Sequence, residues 1–294
     1  MLNARAARLP LLLAMLLVTC PGVLAAPGER VWAAEPQVPT APGYRFGVFP
    51  YLPALTIDRI FGPIAASFAA QLHRPVYLKT RSTFQQFAAQ LGKQSYDLVF
   101  VHPFFYVQAA DRYGYLPLAR VRGQLTAVVL VPEERPWRTW SDLAGRVIAL
   151  PPALTAVSEL TRIALVGAGL IPDIDVTLRH YRTKVSCVQA VDFGAADACV
   201  LPRFVLPQIE ATKNRKLRIM TETLGINHLL FATHPRVSDL DRRKLLTVIL
   251  SWPGTEEGRA ILAGGAWPGF VSAHDADYMQ VRDYNARLRT LAHR

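Results

Sequence analysis

The sequence predicts an α/β protein built as two lobes, each a mostly parallel sheet flanked by helices. Three observations predict it. Short apolar runs alternate with segments of helical period from residue 44 onward, and a second series of the same kind starts near residue 141. With its first 26 residues set aside, the chain is about 268 residues long, which is long for one core and comfortable for two.

The first series opens with Tyr44-Arg45-Phe46-Gly47-Val48-Phe49, which alternates as a strand. Ile57, Ile60, Phe61, Ile64, Phe68 and Leu72 then mark one face of a helix, with Pro63 expected to kink or start it. Residues 76–78 form a second strand, and Phe84, Phe87, Ala88 and Leu91 a second helix face that Gly92 closes. Residues 97–101 are nearly all apolar, as a strand covered on both faces should be, and Pro103 opens the next helix where its missing N–H costs nothing. A further strand is expected at 125–131, broken off by Pro132 to Pro136.

A short helix at 141–143 leads into the stretch around which the second series turns. Val147 to Leu150 is a short apolar run stopped by Pro151 and Pro152. Val157, Leu160, Thr161, Ala164 and Leu165 follow at helical spacing, with Thr155 and Ser158 able to cap and Gly167 or Gly169 placed to end the turn. Such a strand, loop and helix aims unpaired N–H groups and a partial positive charge at the carboxyl edge of a sheet, where anions bind. The same stretch also reads as an ordinary βα turn. Strands at 176–181 and 197–201 and helices at 185–193 and 204–211 continue the series, followed by strands at 217–220 and 229–231. After Pro235 the chain reads as helical throughout, at 240–250, 255–262 and 273–291, and no repeat of fixed period is visible.

Residues 1–26 read as a secretory signal peptide: Arg5 and Arg8 precede an apolar run at 9–17, and Val23-Leu24-Ala25-Ala26 offers small residues for cleavage. Leu17-Val18-Thr19-Cys20 is also a degenerate lipid-attachment pattern, so a lipoprotein is the alternative. Residues 27–43, with six prolines or glycines, read as a flexible lead-in. Loss of Arg5 and Arg8 lowers the formal charge from +11 to +9, which favours anionic partners. The basic residues are scattered, with short clusters only at 213–216 and 242–244, a pattern of solvated faces rather than of nucleic-acid binding. Cys187 and Cys199 remain in the exported chain, as a disulfide, as two buried thiols or as part of a soft-metal site. No Cys-x-x-Cys or His-x-x-x-His spacing supports a metal, and no cofactor is implied. Enzyme signatures such as Gly-x-Ser-x-Gly, Gly-x-x-x-x-Gly-Lys and His-Glu-x-x-His are missing, so the expected class is a binding protein.

Four stretches taken together resemble the phosphate-, phosphite- and phosphonate-binding receptors of ABC importers, which are type II periplasmic binding proteins. They are Phe46-Gly47-Val48-Phe49-Pro50; Tyr96-Asp97-Leu98-Val99-Phe100-Val101-His102-Pro103 with Tyr106 and Ala109; Ala190-Val191 to Gly194-Ala195-Ala196-Asp197-Ala198; and Phe270-Val271 to Asp275-Ala276-Asp277-Tyr278 with Val281-Arg282. The resemblance implies two lobes joined by two crossing strands, the first from 44–130 plus 229–294 and the second from 131–228, with a small oxyanion in the cleft. It implies a periplasmic monomer that hands its ligand to an ABC permease, or alternatively a sensor subunit that reports it to a membrane histidine kinase. An exported thiol or metal enzyme is a third reading.

The family's binding residues carry over only in part. Its Ser-Thr-Ser cluster falls on Ala153, Leu154 and Thr155, so only Thr155 keeps a hydroxyl, and a family histidine falls on Lys184. Aromatic positions fall on Phe84 and Val101, and an acidic position falls near Pro202 and Arg203. Lys184 and Arg203 would add charge-assisted bonds to an anion if they face the cleft, and are otherwise solvated. Independently of the resemblance, His102, Arg81 and Ser82 leave strands at the carboxyl edge where ligand groups belong, His102 alternatively serving as a local cap. Tyr106 reads as core packing.

Overall fold

The computed structural model describes residues 42–209 and 216–292. The signal peptide, Cys20, most of the lead-in and the basic residues 213–215 lie outside them. In chain order the first half runs β1 (Tyr44–Val48), α1 (Ala54–Leu72), β2 (Val76–Lys79), α2 (Phe84–Gly92), β3 (Leu98–Val101), α3 (Pro103–Tyr113), β4 (Leu116–Val121), β5 (Gln124–Leu125) and β6 (Ala127–Pro132). It continues as β7 (Val147–Leu150), α4 (Ala156–Gly167), β8 (Thr177–His180), α5 (Lys184–Asp192), β9 (Ala198–Pro202), α6 (Leu206–Ile209) and β10 (Leu217–Glu222). Last come β11 (Ile226–Asn227), β12 (Leu230–Thr233), α7 (Asp239–Ser251), α8 (Glu256–Gly265), β13 (Phe270–Ser272) and α9 (Met279–Ala292).

These strands form two large sheets of the two-lobe type II arrangement, in the orders β13-β4-β12-β3-β1-β2 and β10-β6-β9-β7-β8. Each has a parallel heart, β2-β1-β3 and β8-β7-β9, extended by antiparallel strands, so the sheets are mixed rather than mostly parallel. The antiparallel additions follow from the connectivity. The chain leaves the first sheet through β5 and returns through β11, and these two short strands pair with each other, Leu125 opposite Ile226, as the double crossing. This crossing lies some residues earlier than the sequence boundary at 130 put it: β6, assigned there mostly to the first lobe, pairs with β9 and β10 in the second sheet. The run at 125–131 was read as one strand, whereas Thr126 separates β5 from β6.

Three strands escaped the sequence reading, the two-residue β11 together with β4 and β13. Pro117 inside β4 masks its pattern, and β13 is only three residues long; both sit toward one edge of the first sheet, where such strands are tolerated. The chain after Pro235 is therefore not helical throughout. Pro63 neither starts nor ends α1, which runs on through it with Ile60, Phe61, Ile64 and Phe68 buried.

The parallel hearts are built alike. Asp97, just before β3, accepts a hydrogen bond from the Arg45 backbone N–H at 2.6 Å, and Asp197, just before β9, accepts one from Val147 N–H at 2.9 Å. Each carboxylate ties the head of the central strand pair to its neighbour. Around the first sheet the core is aromatic: Phe100 packs against Phe231 with ring centroids 4.8 Å apart and against Phe61 at 5.1 Å. The second sheet buries Val129 and Val131 on one face and Val128 and Leu130 on the other, the alternation that a strand covered on both sides requires. Cys187 of α5 and Cys199 of β9, both fully buried, are joined as a disulfide.

Candidate functional site

The carboxyl ends of the parallel strands β1, β2 and β3 in one sheet, and β7, β8 and β9 in the other, carry the loops that hold every sequence-predicted site residue. Four of those loops run into helices that carry a side-chain cap. Thr83 accepts from Gln86 N–H in α2, His102 Nδ1 from Phe105 N–H in α3, Thr155 from Ser158 N–H in α4, and Thr183 from Ser186 N–H in α5. The cap takes the third amide of each helix and leaves the first ones free.

At α4 those free amides are buried. Ala156 and Val157 are 5% and 3% exposed, and neither N–H meets an acceptor among the described residues. Thr155 Oγ1 lies 3.0 Å from Ser158 Oγ, and Ser158 in turn bonds the carbonyls of Pro151 and Pro152, so the loop is locked from within. Leu154 before the cap sits at φ +67°, a left-handed conformation that a branched side chain adopts at a cost of about 1–2 kcal/mol. Strain of that kind is retained where surrounding structure over-determines it, often at a binding site.

His102 meets this loop from the other sheet. Its ring is 1% exposed, stacked on Phe105 at 4.2 Å and set edge-on to Phe49 at 5.4 Å. Burial pushes its pKa down to about 3, with the Leu154 backbone acting in the opposite direction. The imidazole is therefore neutral. Because Nδ1 accepts the Phe105 N–H at 3.3 Å, the ring proton sits on Nε2, which faces the Leu154 backbone without reaching hydrogen-bond geometry. Ala156 and Leu160 of α4 pack into the hydrophobic cluster of the first sheet. The start of α4 thus lies in the seam between the sheets, where it brings two buried amides beside a buried imidazole N–H.

The remaining predicted residues divide. Lys184 is the first residue of α5. It reaches from the loop after β8 across to the ring of Phe204 after β9, with Nζ 5.9 Å from the ring centre, and pairs with no carboxylate among the described residues. Burial pulls its pKa down. Phe204, 45% exposed, also faces His228 in the return crossing at 5.8 Å. Arg81 bonds the Thr80 carbonyl at 3.0 Å and pairs with no carboxylate among the described residues, while Ser82 is exposed. Arg203 does not add free charge to the seam, because Glu222 holds it through two guanidinium nitrogens, Nε at 2.6 Å and Nη2. Phe84 is 6% exposed and packs against Phe49 and Phe105, a core role. Tyr106 donates to Asp275 at 2.6 Å and stays in the core, as expected.

Sequence reasoning missed Tyr51 and His228 at these edges and weighed His180 only as a metal ligand beside the two cysteines. Tyr51 follows β1, its hydroxyl pKa is raised by burial, and its ring stacks on Phe49 at 4.6 Å. His228, held neutral with a pKa near 4 by burial and by Arg120, lies in the crossing. His180 donates from Nδ1 to the Pro151 carbonyl at 2.7 Å and so braces the α4 loop from β8. No periodic signal marks any of them, since each lies in a loop or at a strand end. A cavity of about 330 Å³ lies elsewhere, between α4, the end of β10 and α9, lined by Trp140, Ile163, Thr223 and Tyr284 among others. Among the described residues no group of His, Cys, Asp or Glu is arranged to hold a metal ion.

The fold has counterparts among solved structures. The PhnD1 protein of Prochlorococcus marinus, solved with methylphosphonate, superposes with a TM-score of 0.73 at 15% identity, over 84% of this chain and 98% of that one. A Xanthomonas citri protein solved with ATP gives 0.73 at 13% identity, over 86% and 98%. The binding component of a Pseudomonas aeruginosa ABC phosphonate transporter gives 0.72 at 13% identity, over 85% and 88%. No curated protein matches the chain. The family profile of periplasmic substrate-binding proteins of phosphonate ABC transporters matches residues 46–278, most of the chain, and the chain belongs to that family.

Proposed function

We propose that the seam between the sheets is the ligand cleft, and that it captures a small phosphonate or related oxyanion for delivery to an ABC permease. One observation carries the assignment of the site. Two buried N–H donors, those of Ala156 and Val157, meet no acceptor among the described residues, and a third, His102 Nε2, faces only the Leu154 backbone, outside hydrogen-bond geometry, where the two sheets meet. An oxyanion supplies acceptors for all three at once, and water exclusion strengthens each bond. The helix terminus contributes partial positive charge and Lys184 a full one. Thr155 positions the amides through its cap, and Arg81 and Ser82 approach from the first sheet. The phosphonate family and the methylphosphonate held by a protein of this fold support the ligand class.

Export through the signal peptide, assembly with a permease, action as a monomer and a binding rather than catalytic role belong to the same reading. No observation favours the histidine-kinase alternative. The disulfide occupies Cys187 and Cys199, the two thiols that an exported thiol enzyme would need.

Thermal melts with phosphate, phosphite, methylphosphonate, arsenite, arsenate and sulfonates test the reading. A ligand at a hundred times its Kd adds about 2.7 kcal/mol of stability. At least one phosphorus oxyanion is expected to raise Tm, and absence of stabilisation by every oxyanion would contradict the assignment.

A further inference from the structure

A cleft that accepts the anionic head of a phosphonate must also accept whatever the phosphorus carries. The walls described above are apolar and cationic. Leu154 and Phe204, in the loops at the carboxyl edge of the second sheet, are partly exposed hydrophobic side chains, at 37% and 45%. Lys184 lies over the Phe204 ring, and Arg81 follows β2 at the carboxyl edge of the opposite sheet; both are cations without carboxylate partners among the described residues. The acids nearby offer little to a positively charged substituent. Glu222 is engaged by Arg203 through two bonds, and Glu159, in the first turn of α4, has its charged form disfavoured by burial.

Resting on the proposed function, we propose that Lys184 laid over Phe204 is a specificity-determining residue: it admits phosphonates with an uncharged, apolar substituent and rejects those bearing an ammonium group. The rejection is electrostatic, since two ammonium groups brought within several ångströms in a water-poor site repel each other with no nearby carboxylate free to offset them. The acceptance comes from the Phe204 and Leu154 surfaces, which cover a short alkyl chain.

Propylphosphonate and 2-aminoethylphosphonate test this cleanly, because they match in length and differ at the terminal methyl or ammonium group. Titration calorimetry on the exported chain is expected to show propylphosphonate binding about tenfold or more tightly than the amine. In Lys184→Met, which keeps a long stem and loses the charge, the ratio of the two affinities should fall to about threefold or less, whatever the change in absolute affinity. Wild-type protein that binds the amine as tightly as the propyl compound would overturn the specificity and leave the function standing, and a ratio unchanged in Lys184→Met would overturn the role of Lys184. If neither these compounds nor any oxyanion of the thermal melts binds, the function fails and the specificity fails with it.

Discussion

The two nitrogens of His102 do different work. Nδ1 closes the first turn of α3, and Nε2 presents a proton to the seam. Because burial holds the folded pKa near 3 while the unfolded chain titrates at 6.5, acid favours the unfolded chain. The stability that the neutral ring contributes is complete above pH 6.5 and is lost as pH falls towards 3, by up to about 1.4 kcal/mol per pH unit. His228 adds the same sign between 6.5 and about 4. Replacement His102→Asn keeps an acceptor for the cap and removes the titration. In urea unfolding, this variant should lose about 1–2 kcal/mol less stability than wild type between pH 6.5 and 5; parallel curves would refute the buried neutral ring. Residues were legible in the sequence where their role is local: Thr155 stands before a helical period and caps that helix. Pairing at a distance was not legible. Arg203 meets Glu222 only because β9 and β10 flank β6, which no spacing in the sequence announces.

At the scale of elements, the parallel hearts were readable because each is an apolar run followed by a helical period. The antiparallel strands β4 and β13 were not, being broken by a proline or too short to alternate. Gly47 of β1 shows how tightly one such heart is built: a Cβ there would lie 2.6 Å from the ring of Tyr96, which is buried and stacked on Phe87 at 5.1 Å. Gly47→Ala should therefore cost about 1–3 kcal/mol in denaturant unfolding, as overpacking does. A neutral substitution would show that the ring is free to move. The disulfide between α5 and β9 closes a loop of 12 residues in sequence separation, and Cys187→Ser with Cys199→Ser should lose about 2–4 kcal/mol by the same measurement. The paired variant also loosens the helix that carries Lys184.

For the molecule as a whole, the two sheets are joined through the paired strands β5 and β11, which is where a hinge would act. The sequence located the break near 130–136 because Pro132 and Pro136 are conspicuous there, whereas the chain turns between sheets at Thr126, with little punctuation beyond Gly123. If closure traps the ligand, small-angle scattering should show a smaller radius of gyration with saturating ligand than without it, and an unchanged radius would argue for a preformed site. The most direct test of the buried-donor account is the amide spectrum of isotopically labelled protein titrated with methylphosphonate, or with whichever oxyanion the melts select. The account predicts that the largest shifts fall on the Ala156 and Val157 amides, accompanied by the Nε2 proton of His102. Saturable binding that leaves those three signals in place and moves a cluster elsewhere would contradict it.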